Sequence, residues 1–116
     1  LNTGLLNIHQ VVHRVQRLLR AEAAPTLSIH TDFDPSLPEF IGDADQLTQA
    51  LLNIVRNAWQ AAGDAGEIRL RTRVRRQCTL GGRRHRLACA IEVLDNGPGV
   101  DETLVNQLFL PMSLMI

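Results

Sequence analysis

Lysine is absent from this 116-residue chain, and all twelve basic residues are arginines. Twelve acidic residues balance them, so the formal net charge is zero and gives no overall attraction to nucleic acid or to an anionic membrane. Without lysine, any phosphate chemistry must use arginine, a metal ion, amide side chains or backbone N–H groups.

Cysteine and long apolar runs are also scarce. The two cysteines, Cys78 and Cys89, match no metal or redox spacing, which predicts free thiols in a reducing compartment. No apolar run reaches the ~18 residues of a membrane span, and no signal-peptide pattern is present. We therefore predict a cytoplasmic protein without membrane contact. Because the chain begins at Leu1 rather than Met, we expect it to be a fragment.

The length and an apolar content of 45% predict one domain, spanning residues 1–116, with its own hydrophobic core. Asn7 is a candidate cap for a first helix that ends near Glu22, where apolar residues recur at helical spacing. Asp43 is a candidate cap for a second helix, which Gly63 ends. The predicted apolar stripe of the second helix consists of Leu47, Ala50, Leu51, Ile54, Val55, Ala58 and Ala61.

Three segments show strand-like alternation. Residues 26–33 predict one strand, and residues 67–79 alternate apolar side chains with arginines, which is typical of a half-buried strand. A Gly-Gly pair at residues 81–82 predicts a hairpin turn, and residues 86–94 form the returning strand. A short helix is expected from Asp101. This order of elements predicts an α+β fold, a two-layer α/β sandwich with a mixed sheet.

Asn53 and Asn57 are the first candidate site residues. They are four residues apart on the second helix and therefore share one side of it, beside the apolar stripe. Amides so close to a core are costly unless they are paired, and neighbouring backbone groups could pair them. The functional explanation is a ligand set for Mg²⁺ beside a nucleotide, since amide oxygens suit a hard cation that also binds water and phosphate oxygens.

Asp95, Gly97 and Gly99 are the second candidate group. Asp95 shares a strand face with Ile91 and Val93, so its carboxylate should leave the strand on the buried side, where it needs a partner. The exocyclic amine of adenine could donate to it, whereas guanine presents a carbonyl at that position. The glycines permit a tight turn and a close approach of the backbone to a ligand, although an ordinary turn would also explain them.

Three motifs, in this order, resemble those of sensor histidine kinases. Residues 45–58, which include Leu-Leu-Asn-Ile-Val-Arg-Asn-Ala, resemble the N box, and residues 95–100, Asp-Asn-Gly-Pro-Gly-Val, resemble the first glycine box. Residues 108–112, Leu-Phe-Leu-Pro-Met, are similar to the F box. Asp-Pro-Ser-Leu-Pro-Glu at residues 34–39 is similar to the nitrogen-regulation (NtrB-type) branch. The resemblance covers roughly residues 5–112.

The resemblance implies a Bergerat-type (GHKL) ATP-binding fold with ATP and Mg²⁺ as cofactors. Asn57 would hold Mg²⁺, and Asn53 would lie beside it. Asp95 would bind the adenine amine, and Gly97 and Gly99 would shape the adenine pocket. No catalytic residue is expected within the chain, because the γ-phosphoryl group would pass to a histidine elsewhere.

The same resemblance gives Phe109 the role of anchoring the base of the ATP lid. It also implies the partners: the phosphoacceptor histidine domain of the same kinase, a response regulator and a PII-type signal protein, with a homodimeric parent protein. The chain departs from the pattern at Gln60, where many such kinases have Lys or Arg. It also lacks a phosphoacceptor box, the lid and the second glycine box. We therefore expect a C-terminally incomplete fold with weak ATP binding and an unpaired sheet edge.

Two other functions stay open. A gyrase-like ATPase on the same fold would need a glutamate one turn before the Mg²⁺ asparagine, and Asn53 cannot act as a general base. The second alternative is a non-catalytic fragment that binds another protein.

Two further groups of polar residues, the histidines of the first helix and the arginines of residues 69–86, are expected to be solvated. His9 and His13 lie off the apolar stripe and are expected to be solvated. Eight of the twelve arginines fall between Arg69 and Arg86, where a solvated sheet face is the expectation. Docking of another protein is the functional alternative for this basic face.

Overall fold

The computed structural model describes residues 3–96 and 103–111 of the chain. Within these ranges the backbone forms two helices and six strands. In chain order they are β1 (Gly4–Leu6), α1 (Ile8–Glu22), β2 (Ser28–Asp32), β3 (Phe40–Gly42), α2 (Ala44–Ala62), β4 (Glu67–Leu80), β5 (Arg83–Asn96) and β6 (Thr103–Pro111).

Both helices begin and end where the sequence predicts. Asn7 Oδ1 accepts a hydrogen bond from the N–H of His9 at 2.9 Å, and Asp43 Oδ1 accepts from two N–H groups in the first turn of α2. Each cap satisfies donors that no helical carbonyl can reach. Gly63 ends α2 with a φ of 84°, a conformation that favours glycine. Among the described residues, no helix is long and apolar enough to cross a membrane.

The main sheet has four strands in the order β2-β4-β5-β6. β2 runs parallel to β4, whereas β4, β5 and β6 are antiparallel neighbours, so the sheet is mixed, as predicted. β4 and β5 form a long hairpin. Its turn residues, Gly81 and Gly82, both have positive φ, as a type I′ turn requires.

The two helices cover one face of this sheet and bury the core. Alternation along β4 places Ile68 and Leu70 on this helix-covered face. It places Arg69, Arg71, Arg73 and Arg75 on the opposite face, which no described helix covers and which is called here the helix-free face. The fully buried side chains of the core include Val12, Val15, Leu19, Leu51, Val55, Ile68, Leu70, Ile91 and Val93. The two-layer α+β architecture predicted from the sequence is therefore confirmed.

The short helix predicted after Asp101 is wrong, because Thr103–Pro111 forms strand β6 against β5. This pairing satisfies backbone groups along the outer edge of β5, which a helix would leave open. Leu108 and Leu110 alternate onto the helix-covered face and pack against the core. The prediction of an unpaired edge also fails along β5, since β6 pairs with it as far as Ala88.

The buried stripe of α2 is rotated relative to the prediction. Ala50 and Ala61 are exposed, whereas Thr48 and Ala62 are buried. α2 packs against α1 as well as against the sheet, and this second contact buries positions beside the predicted stripe. The hydroxyl of Thr48 is satisfied there, because it donates to a carbonyl one turn earlier in the helix at 2.6 Å.

A second, two-stranded sheet was not predicted. β1 and β3 pair antiparallel over three residues each, and Leu6 and Phe40, which lie opposite one another, are both buried. Strands this short carry too little alternation for a sequence pattern to indicate them. The small sheet places Phe40 and Ile41 beside the start of α2, at one end of a cleft described below.

Candidate functional site

A row of exposed amide side chains runs along α2. Its members, called here the amide row, are Gln46, Gln49, Asn53, Asn57 and Gln60. Their spacing of three or four residues places them on one side of the helix. Gln49 Nε2 donates a hydrogen bond to Asn53 Oδ1 at 3.3 Å. Because the row is exposed, its amide groups can contact a ligand without first breaking core hydrogen bonds.

The structure brings Asn53 and Asn57 together on adjacent turns, about 6 Å apart along the helix axis. Both side chains are exposed, so the free-energy cost that was expected for unpaired amides close to the core does not arise. The rotation of α2 explains this difference, because it turns Ala50 and Ala61 outward with the asparagines. These small neighbours leave space around Asn57 for a ligand.

Asp95 lies near the end of β5, opposite Ile68 on β4 and Thr103 on β6. It shares the helix-covered face with Ile91 and Val93, as predicted, and is half-buried. No hydrogen bond or ion pair joins its carboxylate to residues 3–96 or 103–111. The carboxylate is therefore available to accept a hydrogen bond from a ligand on the same side of the sheet as α2.

Of the three other predicted site residues, the structure describes one. Gly97 and Gly99 lie outside the described residues. Phe109 lies on β6 opposite Ala90, two residues beyond Gln107, whose side chain contacts the helix-free face. The structure thus places Phe109 on the opposite face of the sheet from Asp95. The role of Phe109 at the base of a lid stays a prediction.

A cleft of about 380 Å³ lies between the start of α2, strand β3 and strand β6. Gln46 and Ala50 of the exposed side of α2 line it, together with Leu108 and Leu110 of β6. No sequence pattern indicates this cleft, since it depends on β6 being a strand. It adds an apolar surface next to the amide row.

His9 belongs to a polar cluster that the sequence did not indicate. Its Nε2 lies 3.0 Å from Thr72 Oγ1, which also accepts a hydrogen bond from the N–H of Asp34 at 3.0 Å. The ring stacks on Phe33 with 4.4 Å between centroids. Burial and the neighbouring charge of His13 lower the pKa of His9, and Asp34 acts in the opposite direction. The expectation of a solvated His9 is therefore wrong, although His13 is exposed as predicted.

The helix-free face buries one carboxylate, that of Glu92, which is 4% exposed. It accepts hydrogen bonds from Arg71 Nε and Gln107 Nε2, each at 2.7 Å, and Arg75 lies 3.6 Å away. Burial by itself raises the pKa of Glu92, but the hydrogen bonds and positive charges of these neighbours outweigh it and hold the pKa below its ordinary value. Arg71 and Arg75 therefore stabilise the sheet itself.

Mg²⁺ is the metal that the predicted function requires. Across the described part of the chain, no three His, Cys, Asp or Glu side chains lie close enough together to hold a metal ion. The exposed amide oxygen of Asn57 fits a cation that keeps several waters and binds phosphate oxygens, as Mg²⁺ does with nucleotides. The available ligands thus suit a metal ion that arrives with its nucleotide.

Residues 42–114 match the family of histidine kinase-, DNA gyrase B-, and HSP90-like ATPases. The match covers more than half of the chain and contains α2, β4 and β5, with both Asn57 and Asp95. The chain therefore belongs to this family of ATPases.

Among curated relatives, the chain is similar to the sensory histidine kinase/phosphatase NtrB. It is 52% identical over 107 residues to NtrB of Klebsiella oxytoca and of Escherichia coli O157:H7. It is 41% identical over 112 residues to NtrB of Rhodobacter capsulatus. Each alignment covers 91% of this chain but 31% of the relative, so the chain spans about a third of the length of the relatives it matches.

Solved structures show the same fold at low sequence identity. The catalytic domain of histidine kinase ThkA matches with a TM-score of 0.67 at 18% identity, covering 87% of this chain and 63% of that one. The mycobacterial sensor histidine kinase MprB matches with a TM-score of 0.63 at 19% identity, covering 86% and 59%. The fold is therefore that of histidine kinase catalytic domains.

Proposed function

We propose that the chain is the ATP-binding domain of a sensor histidine kinase of the nitrogen-regulation type. The parent protein then transfers the γ-phosphoryl group of ATP to a histidine outside this chain. The observation that carries the proposal is the exposed amide row of α2 on the same side of the sheet as the carboxylate of Asp95. The names of the relatives support the kinase activity and the link to nitrogen regulation.

Each site residue has a proposed role. The amide oxygen of Asn57 binds Mg²⁺, which neutralises phosphate charge when it is bound, and Asn53 lies one turn away beside it. Asp95 accepts a hydrogen bond from the adenine amine. Gly97 and Gly99 shape the adenine pocket. The domain thus holds ATP while a histidine outside it is phosphorylated.

Phosphoryl transfer is favoured over hydrolysis by the residue one turn before Asn57. Activation of water requires a general base at that position, and the amide of Asn53 cannot accept a proton near neutral pH. The Asn53 amide instead forms neutral hydrogen bonds: its Oδ1 accepts one from Gln49 Nε2. A hydrolytic ATPase is therefore the weaker proposal.

The proposed partners follow from the same assignment. A solved complex joins histidine kinase ThkA to the response regulator TrrA, and this supports a response regulator as a partner here. The phosphoacceptor histidine domain of the same kinase, a PII-type signal protein and a homodimeric parent in the cytoplasm complete the proposal. Phe109 keeps its proposed role at the base of a lid.

Calorimetric titration of the intact parent protein with ATP, with and without Mg²⁺, tests the metal role of Asn57. We expect Asn57→Ala to abolish Mg²⁺-dependent ATP binding while leaving the fold intact, because the side chain is exposed. Gln10→Ala is the matched control, since it removes an exposed amide from α1, outside the amide row. Mg²⁺-dependent affinity equal to that of the wild type in the Asn57→Ala variant would contradict the proposal.

The adenine contact is tested separately through Asp95. Asp95→Asn keeps the shape of the side chain but loses the charged acceptor, so ATP binding should weaken by about 1.5–3 kcal/mol. Competition between ATP and GTP for the wild-type protein gives a second measurement. If the two nucleotides compete equally well, Asp95 does not select adenine.

A further inference from the structure

The β4–β5 hairpin extends beyond the described ends of the two strands that flank it. β2 stops pairing with β4 at Arg71, and β6 stops pairing with β5 at Ala88. Beyond Arg75 and Ala88, no described strand lies on either side of the hairpin, although its own pairing continues to Leu80 and Arg83. This projecting part, residues 76–87, is called here the hairpin arm. It reaches about 17 Å past the flanking strands, at the usual rise of a strand.

The hairpin arm concentrates positive charge. It contains Arg76, Arg83, Arg84 and Arg86 and no acidic residue, so its formal charge is +4. Because the whole chain is neutral, the remaining residues carry a formal charge of −4. The neutral total thus hides a separation of charge between the hairpin arm and the body of the domain.

The arginines of the hairpin arm differ from those at its root. At the root, Arg71 pairs with Glu92 and Arg73 pairs with Asp32, at 2.7 and 2.6 Å respectively. The four arginines of the arm are all exposed, and none of them forms an ion pair with a carboxylate in the described parts of the chain. The closest polar contact of Arg84 is the neutral side chain of Gln77, at 3.3 Å. The arm therefore presents guanidinium groups that the domain itself does not neutralise.

We propose that the hairpin arm is a docking site for an acidic segment of another protein. Guanidinium groups form paired hydrogen bonds with carboxylates, and exposed, uncompensated arginines are suited to such contacts. The tight Gly81-Gly82 turn and the strand pairing up to Leu80 hold the arm in one conformation. A preformed surface of this kind loses little conformational entropy when a partner binds.

The composition of the hairpin arm favours a protein over other polyanions. It contains no Phe, Tyr or Trp, and its one imidazole, that of His85, is partly buried, so it offers little stacking surface for unpaired bases. The net negative charge of the rest of the domain repels a long polyanion that extends past the root of the arm toward the body of the domain. An acidic segment no longer than the arm avoids this repulsion. Alternation along β5 places Arg84 and Arg86 on the same face of the arm, where such a segment can contact both.

The test measures binding of the wild-type chain to three probes by fluorescence and co-sedimentation. The probes are a labelled peptide of alternating glutamate and serine, a short duplex DNA and phosphatidylglycerol vesicles. The arm variant, Arg83→Glu with Arg84→Glu, is compared with a control, Arg14→Glu with Arg17→Glu, which makes the same charge change on the exposed side of α1. Urea unfolding of each variant shows that the fold is retained.

We expect the peptide to bind more tightly than DNA or vesicles at moderate salt. The arm variant should bind it about ten-fold more weakly, and the control should stay within about two-fold of the wild type. Tighter binding of DNA or of vesicles would assign the arm to a nucleic acid or to a membrane and overturn the proposal. Equal losses of peptide affinity in both variants, or no peptide binding at all, would also overturn the proposal. The arginines would then be explained as charges that protect the exposed strand edges against aggregation.

Discussion

The two faces of β4 and β5 are stabilised by different interactions, although they belong to the same strands. On the helix-covered face, Ile68, Leu70 and Ile91 are buried beneath α1 and α2. On the helix-free face, Arg71 and Glu92 lie opposite one another and form an ion pair. The comparison shows that a sheet can be closed to solvent on a side that no helix covers.

Long arginine side chains close the helix-free face. Ala88 and Ala90 of β5 have no exposed surface there, and Arg75 and Arg73 are their cross-strand neighbours on β4. The apolar stems of these arginines can cover the small alanines, because the guanidinium of Arg75 reaches Glu92 and that of Arg73 reaches Asp32. Burial on this face therefore comes from side chains of the sheet itself, and we expect its contribution to stability to be smaller.

The largest expected effect is the loss of a large side chain from the helix-covered face. Leu70→Ala should lower the free energy of unfolding by about 3 kcal/mol, because Leu70 is fully buried and the rigid core would retain a cavity. Urea unfolding measures the change. Arg73→Ala on the helix-free face is the comparison, with an expected loss below about 1 kcal/mol. Equal losses in the two variants would contradict the difference between the faces.

The next effect concerns Glu92. Glu92→Gln should lower the free energy of unfolding by about 1–2 kcal/mol at neutral pH. The loss is smaller than for breaking a fully buried ion pair, because Arg71 and Arg75 are partly exposed and can be hydrated. The pKa of Glu92 is lowered in the folded state, so its contribution is present above the ordinary carboxyl value and disappears as pH falls through the folded value.

The pH dependence distinguishes the charge of Glu92 from its shape. Urea unfolding of the wild type and of the Glu92→Gln variant between about pH 6 and about pH 3 provides the measurement. The difference in unfolding free energy between them should shrink as the medium becomes acidic. A difference that stays constant over this range would mean that packing of the side chain, rather than its charge, is responsible.

A smaller pH effect is expected on the helix-covered side, from His9. Burial lowers the pKa of His9, so the unfolded chain binds a proton more readily than the folded one as pH falls below about 6.5. The contribution of His9 to the free energy of unfolding should therefore decrease as pH falls from about 7 toward about 5, and become constant once His9 is protonated in the folded state as well. His9→Gln should flatten that part of the curve, and His13→Gln, at an exposed position, is the control.

Much of the architecture could be predicted because local patterns and tertiary structure agree. Capping residues and apolar spacing gave the limits of α1 and α2, and alternation gave the two faces of β4 and the register that places Arg71 outward. The family resemblance rested on the same segments, and the match over residues 42–114 confirms it. These features depend on short stretches of chain, which a sequence displays directly.

The wrong predictions concern features that depend on contacts between residues far apart in the chain. β6 is a strand because the outer edge of β5 needs hydrogen-bond partners, a requirement that residues 103–111 do not show by themselves. Ala50 is exposed because α1 rotates the buried side of α2. His9 is half-buried because Phe33 and Thr72, far along the chain, surround its ring. For the site, Asn57 and Asp95 could be chosen by residue type and spacing, but the exposure of the amide row could not.

The smallest expected effect is the most direct test of which face binds the nucleotide. Arg71 and Arg73 lie on the helix-free face, where they contact Glu92 and Asp32, whereas Asn57 belongs to the helix layer on the other side of the sheet. Replacing both arginines with glutamine in the parent protein should therefore leave ATP affinity unchanged within error, although the free energy of unfolding should fall by about 1–2 kcal/mol because buried Glu92 loses Arg71. Calorimetric ATP titration measures the affinity, and Asn57→Ala is the positive control for its loss. A large loss of ATP affinity in a folded Arg71→Gln, Arg73→Gln variant would mean that the phosphate charge is neutralised from the helix-free face. The assignment of the amide row as the nucleotide site would then be wrong.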